Sequence, residues 1–386
     1  MLKNIKKLIK NMDKPLLILT TLLFVFGLLN ILNASSREAV VRYEVSMYYY
    51  FFRQLEMLIG GALLSYVILN LRTKAYSWLI WPGFAIVLLM VVLLFFIGVE
   101  INGAKNWLYI PLLGNIQPSE FAKPVIIVSL AVLFEQYYKI LRSDNPKRFT
   151  YITIILVIGC LIPIFTFLQK DLGTCLVMLT IFGVLFLASP IKRIDKLRFA
   201  ILMFGMLCFS LVVVFSVKGY ILSKAQMSRF DYFNPCSKYE TTGYQVCNGF
   251  IAINDGGIFG LGIGKSKQKY SYIPEPHTDS VFAIIAEENG LIISGAILVL
   301  YAIVIYRILN ISNKANTLRG RYICLGVATY IFIHIFINLG GLFGLIPLTG
   351  VPLPFLSYGG SFAICLMCSL SVVQRIHIET KLQKAK

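Results

Sequence analysis

The stretch Tyr272-Ile-Pro-Glu-Pro-His-Thr-Asp-Ser-Val-Phe282 ends a long polar segment and runs directly into an apolar segment of membrane-spanning length. It therefore places the ionisable pair His277 and Asp279 at a predicted membrane surface. A carboxylate at such a boundary costs free energy and usually serves function, so Asp279 is the first candidate for chemistry. The alternative is helix capping, because Thr or Asp directly before an apolar run commonly caps a helix.

Composition indicates the class of protein. Of the 386 residues, 58% are hydrophobic and only 14% are charged, a balance that a soluble domain of this size would not tolerate on its surface. We predict an all-α polytopic integral membrane protein with a single domain, 1–386. Apolar runs that match a ~30 Å hydrocarbon core predict about ten transmembrane helices, near 15–33, 51–70, 77–98, 119–136, 150–168, 173–190, 199–221, 281–306, 322–345 and 357–374. The segment 150–190 could also be a hairpin that enters and leaves on one side.

The charges predict the orientation. A net charge of +18 would suggest nucleic acid as the partner of a soluble protein, but here the cations alternate between loops, as the positive-inside rule requires. We therefore expect no nucleic acid, both termini in the cytoplasm, and a long external loop at 223–280 between helices 7 and 8. The cytoplasmic segments collect Lys3, Lys6, Lys7, Lys10, Lys14, Arg72, Lys74, Lys139, Arg142, Lys147, Arg148, Lys192, Arg193, Lys196, Arg198, Arg307, Lys314, Arg319, Arg321, Arg375, Lys381, Lys384 and Lys386.

Two of the eight cysteines, Cys236 and Cys247, lie in the predicted external loop, and the other six lie in apolar spans. In an oxidising exterior the pair could form a disulfide, which would stabilise the protein by about 2–4 kcal/mol. Two free thiols are the alternative. A zinc site is disfavoured because no third cysteine or histidine is close enough in the loop to complete it.

A first polar group joins the external segment Asn102-Gly-Ala-Lys-Asn-Trp107 to Gln117-Pro-Ser-Glu-Phe-Ala-Lys123 at the start of helix 4. Ser119 and Glu120 suit the first turn of a helix, as a cap and as an anion at the positive end. Lys123 lies one turn inside the span, so it requires a carboxylate, a water-filled cavity or an anionic ligand. A purely structural Glu120–Lys123 pair is the alternative. Arg53, at the outer end of helix 2, could bind a ligand or extend to the interface.

A second group, Asn254-Asp-Gly-Gly-Ile-Phe-Gly-Leu-Gly-Ile-Gly264, is rich in glycine and is followed by Lys265, Lys267 and Lys269. Such a backbone could approach a sugar or a phosphate closely. It lacks the preceding strand and the Gly-Lys-Ser/Thr ending of a nucleotide-binding loop, which excludes an NTPase. Glu287 and Glu288, two turns inside helix 8, suggest a polar cavity leading down from Asp279.

A third group, Pro347-Leu-Thr-Gly-Val-Pro-Leu-Pro-Phe-Leu-Ser-Tyr-Gly-Gly-Ser361, contains three prolines and three glycines. It cannot form a regular helix, so we predict a tight or re-entrant loop that is buried in protein or lines a cavity. A simple interhelical turn is the alternative.

Together these segments resemble the SEDS family of shape, elongation, division and sporulation proteins. The matching pieces occur in family order and cover helices 3 to 10: Asn102–Trp107, Gln117–Lys123, Asp171-Leu-Gly-Thr174, Gly256-Gly-Ile-Phe-Gly260, Pro274–Asp279 and Pro347–Ser361. Three positions depart from the family pattern: Lys170 stands where proline is frequent, and Ser280-Val281 replaces the usual Phe-Ile. The carboxylate itself is retained.

The resemblance implies a peptidoglycan glycosyltransferase that polymerises lipid II at the outer face of the bacterial cytoplasmic membrane. It also implies that Asp279 is catalytic and that the partner is a class B penicillin-binding protein, a transpeptidase. Transfer of the sugar from an α-linked lipid diphosphate to give a β linkage inverts the anomeric centre. One general base and a positive charge that stabilises the diphosphate would therefore suffice. We expect Asp279 to be that base. Substrate contacts are expected from Lys123, Glu120, Arg53, Lys105, Trp107, His277 and Ser361.

Glu120 is also expected to orient Lys123 or to help hold a divalent cation, Mg²⁺ or Mn²⁺, and no organic cofactor is expected. The leading alternative function is a flippase or transporter of the same lipid-linked precursor, because polar intramembrane residues also mark translocation paths. A non-enzymatic scaffold that only recruits a transpeptidase is a third possibility, but it would leave Asp279 without a role.

Overall fold

The computed structural model describes residues 2–101, 104–110, 114–202, 205, 235–240, 243–270 and 273–384. Several sequence-based predictions lie outside these residues. They are most of the predicted helix 199–221, the part of the predicted external loop 223–280 that precedes Pro235, and Asn102.

The described chain is mainly helical, as predicted. The helices are α1 Leu2–Asn11, α2 Lys14–Val41, α3 Tyr49–Asn70, α4 Tyr76–Ile97, α5 Pro118–Gln136, α6 Tyr138–Arg142, α7 Lys147–Leu168, α8 Leu172–Ala188, α9 Tyr244–Gly256, α10 Val281–Lys314, α11 Leu318–Leu342 and α12 Gly360–Lys384. Residues 193–202 are also helical.

Seven of the described helices are long and apolar enough to cross a membrane: α2, α3, α4, α7, α10, α11 and α12. Helix α8 is apolar but shorter, and α5 carries Glu120, Lys123 and Glu135 within its span. These nine helices coincide with nine of the ten predicted spans, with α7 and α8 as two separate helices. The prediction of an all-α polytopic membrane protein is confirmed, while the total of ten helices and the position of the long loop stay predictions.

The segment between α4 and α5 was predicted as a loop, but it forms a small antiparallel sheet. Its strands are β1 Val99–Ile101, β2 Ala104–Ile110 and β3 Gly114–Ile116, in the order β1-β2-β3. Trp107 on β2 lies opposite Val99 on β1. The strands are short, and the sequence has no long alternation of apolar and polar residues there that would predict them.

Contacts between α2 and neighbouring elements occur at two levels whose separation matches the thickness of a hydrocarbon core. At the first level, Asp13 at the start of α2 forms an ion pair with Arg307 of α10, and its backbone N–H donates to Gln374 of α12 at 2.8 Å. At the second level, Asn33 of α2 accepts from Lys269 Nζ at 2.7 Å and donates to Glu288 of α10. Twenty helical residues separate Asp13 from Asn33 and span ~30 Å, the thickness of the hydrocarbon core.

Both ends of the described chain lie near the Asp13 level, because Leu8 of α1 packs with Ile378 of α12. The structure thus places the two ends of the described chain at the same end of the helix bundle, opposite to Asp279. That this side is the cytoplasm stays a prediction.

The segment 343–359 between α11 and α12 is a re-entrant loop. The Pro354 carbonyl accepts a hydrogen bond from Tyr301 of α10, and the Phe355 carbonyl packs so closely on α2 that a Cβ on Gly27 would lie 2.0 Å from it. Gly27 lies well below the Asn33 level, so this loop reaches into the membrane-spanning core. Leu353 and Leu356 are fully buried there. The prediction of a loop buried in protein is confirmed, and a simple interhelical turn is excluded.

Candidate active site

Asp279 lies immediately before α10, and its half-buried carboxylate is held by three side chains. Oδ1 accepts from Gln245 Nε2 of α9 at 3.2 Å and from the hydroxyls of Thr278 and Ser280 at 3.4 Å each. The Asp279 carbonyl accepts from Asn338 Nδ2 of α11 at 2.8 Å. The capping interpretation is wrong, since Ser280 is the N-cap of α10 and no side chain of the described residues caps that helix. The carboxylate is therefore positioned by its neighbours without serving the helix terminus.

The environment of Asp279 raises the pKa of its carboxyl group to about 6. Burial is the main cause and the nearby charge of Glu275 adds to it, while the hydrogen bonds from Thr278 and Ser280 lower the pKa in part. A carboxylate with a pKa near the working pH is suited to accept a proton from an attacking hydroxyl.

His277, two residues before Asp279, is buried and faces the carboxylate of Glu38, which was not predicted as a site residue. His277 Nδ1 lies 3.3 Å from Glu38 Oε2 of α2, and the imidazole packs on Tyr50 with a centroid distance of 4.2 Å. The first helix was predicted to end at residue 33, but α2 continues to Val41 and carries Glu38 to the site. The i,i+4 pair of Glu38 and Arg42, at 2.9 Å, was the available signal that the helix continues.

Lys123 is fully buried in α5 and has two partners. Its Nζ lies 2.7 Å from Glu120 Oε1 and 3.1 Å from His334 Nε2 of α11. Since Nε2 accepts from the ammonium, the other ring nitrogen of His334 is the one that donates to the Pro352 carbonyl, at 3.1 Å. The carboxylate partner expected for Lys123 is present, and the chain Lys123–His334–Pro352 connects it to the re-entrant loop.

Asp171 joins three elements on the Asp279 side of the molecule. Its Oδ2 accepts from Asn106 Nδ2 of β2 at 2.6 Å and from Gln117 Nε2 at 3.0 Å, while Oδ1 caps α8 by accepting from Thr174 N. The Gln117 backbone N–H in turn donates to Ser361 Oγ at 3.2 Å. No role for Asp171 was predicted from the sequence.

The prediction that Ser119 caps helix 4 is wrong. The N-cap of α5 is Gln117, no side chain caps this helix, and Ser119 Oγ is buried without a hydrogen-bond partner among the described residues.

Arg53, Lys105 and Trp107 lie at the same side but are not gathered around Asp279 within the described residues. Arg53 is half-exposed near the start of α3, where it pairs with Glu56 at 3.4 Å. Lys105 Nζ donates to the Phe95 carbonyl at 2.9 Å, and Trp107 is half-buried on β2. Their roles in binding stay predictions.

Among the described residues, Glu287 and Glu288 are buried and paired instead of lining a polar cavity that leads from Asp279, contrary to the prediction. Glu287 Oε1 accepts from the Lys267 N–H at 2.8 Å, and Glu288 Oε1 pairs with Lys269 Nζ at 2.7 Å. Both carboxylates are buried and hold the glycine-rich segment against α10.

The described residues do not offer a metal site centred on Glu120. No group of three or more His, Cys, Asp or Glu side chains in the described part of the chain could hold a metal ion. Glu120 Oε1 is already neutralised by Lys123, which disfavours a cation at the same oxygen. Glu120 Oε2 is buried without a hydrogen-bond partner among the described residues.

Cys236 and Cys247, which the sequence places in the predicted external loop, form a disulfide with a Cα–Cα distance of 4.9 Å. Cys247 lies on α9, two residues after Gln245, so the disulfide anchors the helix that contacts Asp279. This decides between the bridge and the free thiols that the sequence left open.

The family model described as "Cell cycle protein", which covers FtsW, RodA and SpoVE, matches residues 14–382. The chain is 35% identical over 387 aligned residues to the "Probable peptidoglycan glycosyltransferase FtsW" of Bacillus subtilis, covering 99% of this chain and 94% of the relative. It is 32% identical to the "Stage V sporulation protein E" of the same organism, covering 94% and 96%.

Two solved structures share the fold over nearly the whole chain. One belongs to work titled "Structural coordination of polymerization and crosslinking by a peptidoglycan synthase complex", with a TM-score of 0.72, 26% identity and coverage of 96% of this chain and 98% of that chain. The other is the rod shape determining protein RodA of Thermus thermophilus, with a TM-score of 0.66, 24% identity and coverage of 95% and 96%.

Proposed function

The chain belongs to the SEDS family of cell cycle proteins, and we propose that it polymerises lipid II with Asp279 as the general base. It is a peptidoglycan glycosyltransferase and a multi-pass bacterial membrane protein. The observation that carries the proposal is the half-buried carboxylate of Asp279, which lies just beyond the Asn33 level with a pKa raised to about 6. A lipid-anchored diphosphate would present its sugar at this height.

In the proposed step, Asp279 accepts the proton of the acceptor sugar hydroxyl as its oxygen attacks the anomeric carbon of the donor. The bond from that carbon to the diphosphate oxygen breaks, and the lipid diphosphate leaves with the electron pair. Attack from the face opposite to the leaving group converts the α-linked donor into a β linkage. Gln245, Thr278 and Ser280 orient the carboxylate through Oδ1.

Arg53 is the cation that we assign to the donor diphosphate. It is half-exposed, and residues next to it on α3 contact the site. Tyr50 packs on His277, and Gln54 Oε1 accepts from the Gly359 N–H at 3.2 Å. An exposed guanidinium can pair with phosphate oxygens in a bidentate manner. Lys105, Trp107 and Ser361 are proposed to contact the sugars or the diphosphate from the β-sheet side.

Lys123 is proposed to act from beneath the substrate. Its charge is compensated by Glu120, and it holds His334, which holds the re-entrant loop at Pro352.

A divalent cation at the diphosphate is retained as a proposal. Such an ion would neutralise the leaving group when bound, but no step above depends on it. The crosslinking partner is proposed to be a class B penicillin-binding protein, and both termini are proposed to be cytoplasmic.

The test is a polymerisation assay on the purified protein with its transpeptidase partner and with lipid II, with products resolved by gel. We expect glycan strands that a muramidase digests. A second assay measures the movement of fluorescent lipid II across vesicles that contain the protein. Transport of lipid II without formation of glycan strands would favour the flippase and contradict the proposed enzyme.

A further inference from the structure

The glycine-rich segment 257–267 completes the broken hydrogen bonding of α10. Gly290 has φ +75°, so α10 is interrupted there. In a regular helix the carbonyls of Glu287 and Glu288 would accept from the N–H groups of Leu291 and Ile292. Instead, they accept from Leu261 N and Gly262 N, each at 2.9 Å.

The two freed N–H groups are also satisfied by this segment. Leu291 N donates to the Gly257 carbonyl at 3.0 Å and Ile292 N donates to the Ile258 carbonyl at 3.4 Å. A Cβ on Gly260 would lie 2.2 Å from the Glu288 carbonyl, which explains the glycine. A helix break with all four backbone groups paired inside the protein is what a break at membrane depth requires.

The same segment presents large apolar side chains away from the protein. Phe259 is 81% exposed, Ile263 78% and Ile258 59%. Leu291 and Ile292, which follow the break in α10, are also exposed. Side chains of this size are seldom left in water as a group, and a contiguous exposed patch marks an interaction surface.

The height of this patch is fixed by the Asn33 level. Lys269 and Glu288 meet Asn33 of α2, and this contact lies ~30 Å from Asp13 along the helix axis. The patch therefore lies where the hydrocarbon core ends on the Asp279 side.

Exposed and buried side chains alternate after the patch. The side chains of Ser266 and Lys269 turn inward to Glu287 and Glu288, and Gln268 is buried, while Lys265 and Lys267 follow Ile263 and are exposed. Apolar side chains followed by cations match the order of acyl chains and phosphate groups in a leaflet.

We infer that residues 257–267 form a membrane-seated loop, with Ile258, Phe259 and Ile263 inserted among lipid chains and Lys265 and Lys267 on anionic phospholipid headgroups of the leaflet on the Asp279 side. This surface fits a lipid leaflet because it combines interfacial depth, an apolar tip and adjacent positive charge. Its location does not depend on which reaction Asp279 performs.

The test uses the full-length protein without its partner, reconstituted in vesicles of neutral phosphatidylcholine with or without phosphatidylglycerol. Phe259→Cys and Ile263→Cys are each labelled with an environment-sensitive fluorophore, and Lys384→Cys is the water-exposed control. The unsubstituted protein, labelled in parallel, measures the background from its free cysteines. Because the side chains of Phe259 and Ile263 are largely exposed, both variants should retain the melting temperature of the parent.

We expect the fluorophore at positions 259 and 263 to emit at shorter wavelength than at position 384 and to be quenched by a lipid spin-labelled near its headgroup. Quenching should increase with phosphatidylglycerol, and Lys265→Gln with Lys267→Gln should remove that increase. Emission equal to the Lys384→Cys control would overturn the inference, because the loop would lie in water. A blue shift without lipid quenching would also overturn it, since the patch would then be covered by protein. Equal quenching in both kinds of vesicle would refute the binding of Lys265 and Lys267 to anionic headgroups.

Discussion

Gln245 on α9 and Asp279 before α10 are joined by a hydrogen bond of 3.2 Å, and the same Gln245 amide donates to Ser280 Oγ at 2.9 Å. The two residues are far apart in the sequence, and the Cys236–Cys247 disulfide anchors the helix that brings them together. Gln245 thus orients the carboxylate to which we assign the proton transfer.

Gln245→Ala should lower kcat with little change in KM for lipid II. A hydrogen bond to a charged group contributes about 1.5–3 kcal/mol, which corresponds to roughly a 10- to 100-fold loss of rate. Steady-state polymerisation kinetics measure both constants. Asn254→Ala, an exposed change on the same helix, is the matched control. A normal kcat in Gln245→Ala would show that the bond has no part in positioning Asp279.

The pH dependence should follow the pKa of Asp279. Below about pH 6 the carboxyl group is protonated in the folded protein and cannot accept a proton, so kcat/KM should fall as the pH decreases through this value. Because the charge of Glu275 raises this pKa, Glu275→Gln should move the acid limb to lower pH. Glu240→Gln, an exposed change, should leave it in place. An acid limb near pH 4 in the parent protein would contradict the assignment.

The buried ion pair of Glu120 and Lys123 in α5 should contribute to the thermal stability of the protein. Lys123→Met leaves Glu120 buried without its counter-ion, which typically destabilises a protein by about 3–5 kcal/mol. The double variant with Glu120→Gln removes both charges and should recover much of the melting temperature. Thermal unfolding in detergent measures this. If the single variant were as stable as the parent, the pair would not be the electrostatic unit that the geometry indicates.

Reporter fusions test the orientation that the loop charges predict. A fusion after Lys384 should report the cytoplasm, and an insertion at Ser237 should report the exterior, because the cations concentrate in the segments on the Asp13 side. A cytoplasmic signal from position 237 would invert the topology and place Asp279 on the wrong side for its substrate.

Much of the fold could be predicted because a helix that crosses the hydrocarbon core needs a long run of apolar residues. Nine such runs coincide with helices. The candidate base could be located for a similar reason, since a carboxylate directly before an apolar run stands out. The end of α2 could not be located in this way. Its last two turns, with Glu38, lie beyond the membrane boundary, where polar residues are tolerated and hydropathy no longer reports helix length.

Long-range partners were also beyond the reach of sequence reasoning. Glu287 and Glu288 were predicted to line a cavity. Instead, Lys267 and Lys269, about twenty residues earlier in the chain, bind the two carboxylates. Asp171 and Gln245 act through side chains on other elements, and a single sequence does not show which polar residues meet.

The central claim is tested most directly by lipid II polymerisation with Asp279→Asn. Asparagine keeps the size of the side chain and an Oδ1 that can accept from Gln245, but it removes the base. We expect a stable, membrane-inserted protein that still binds lipid II and its partner, with polymerisation reduced at least roughly 100-fold. Near-normal formation of glycan strands by this variant would contradict the account.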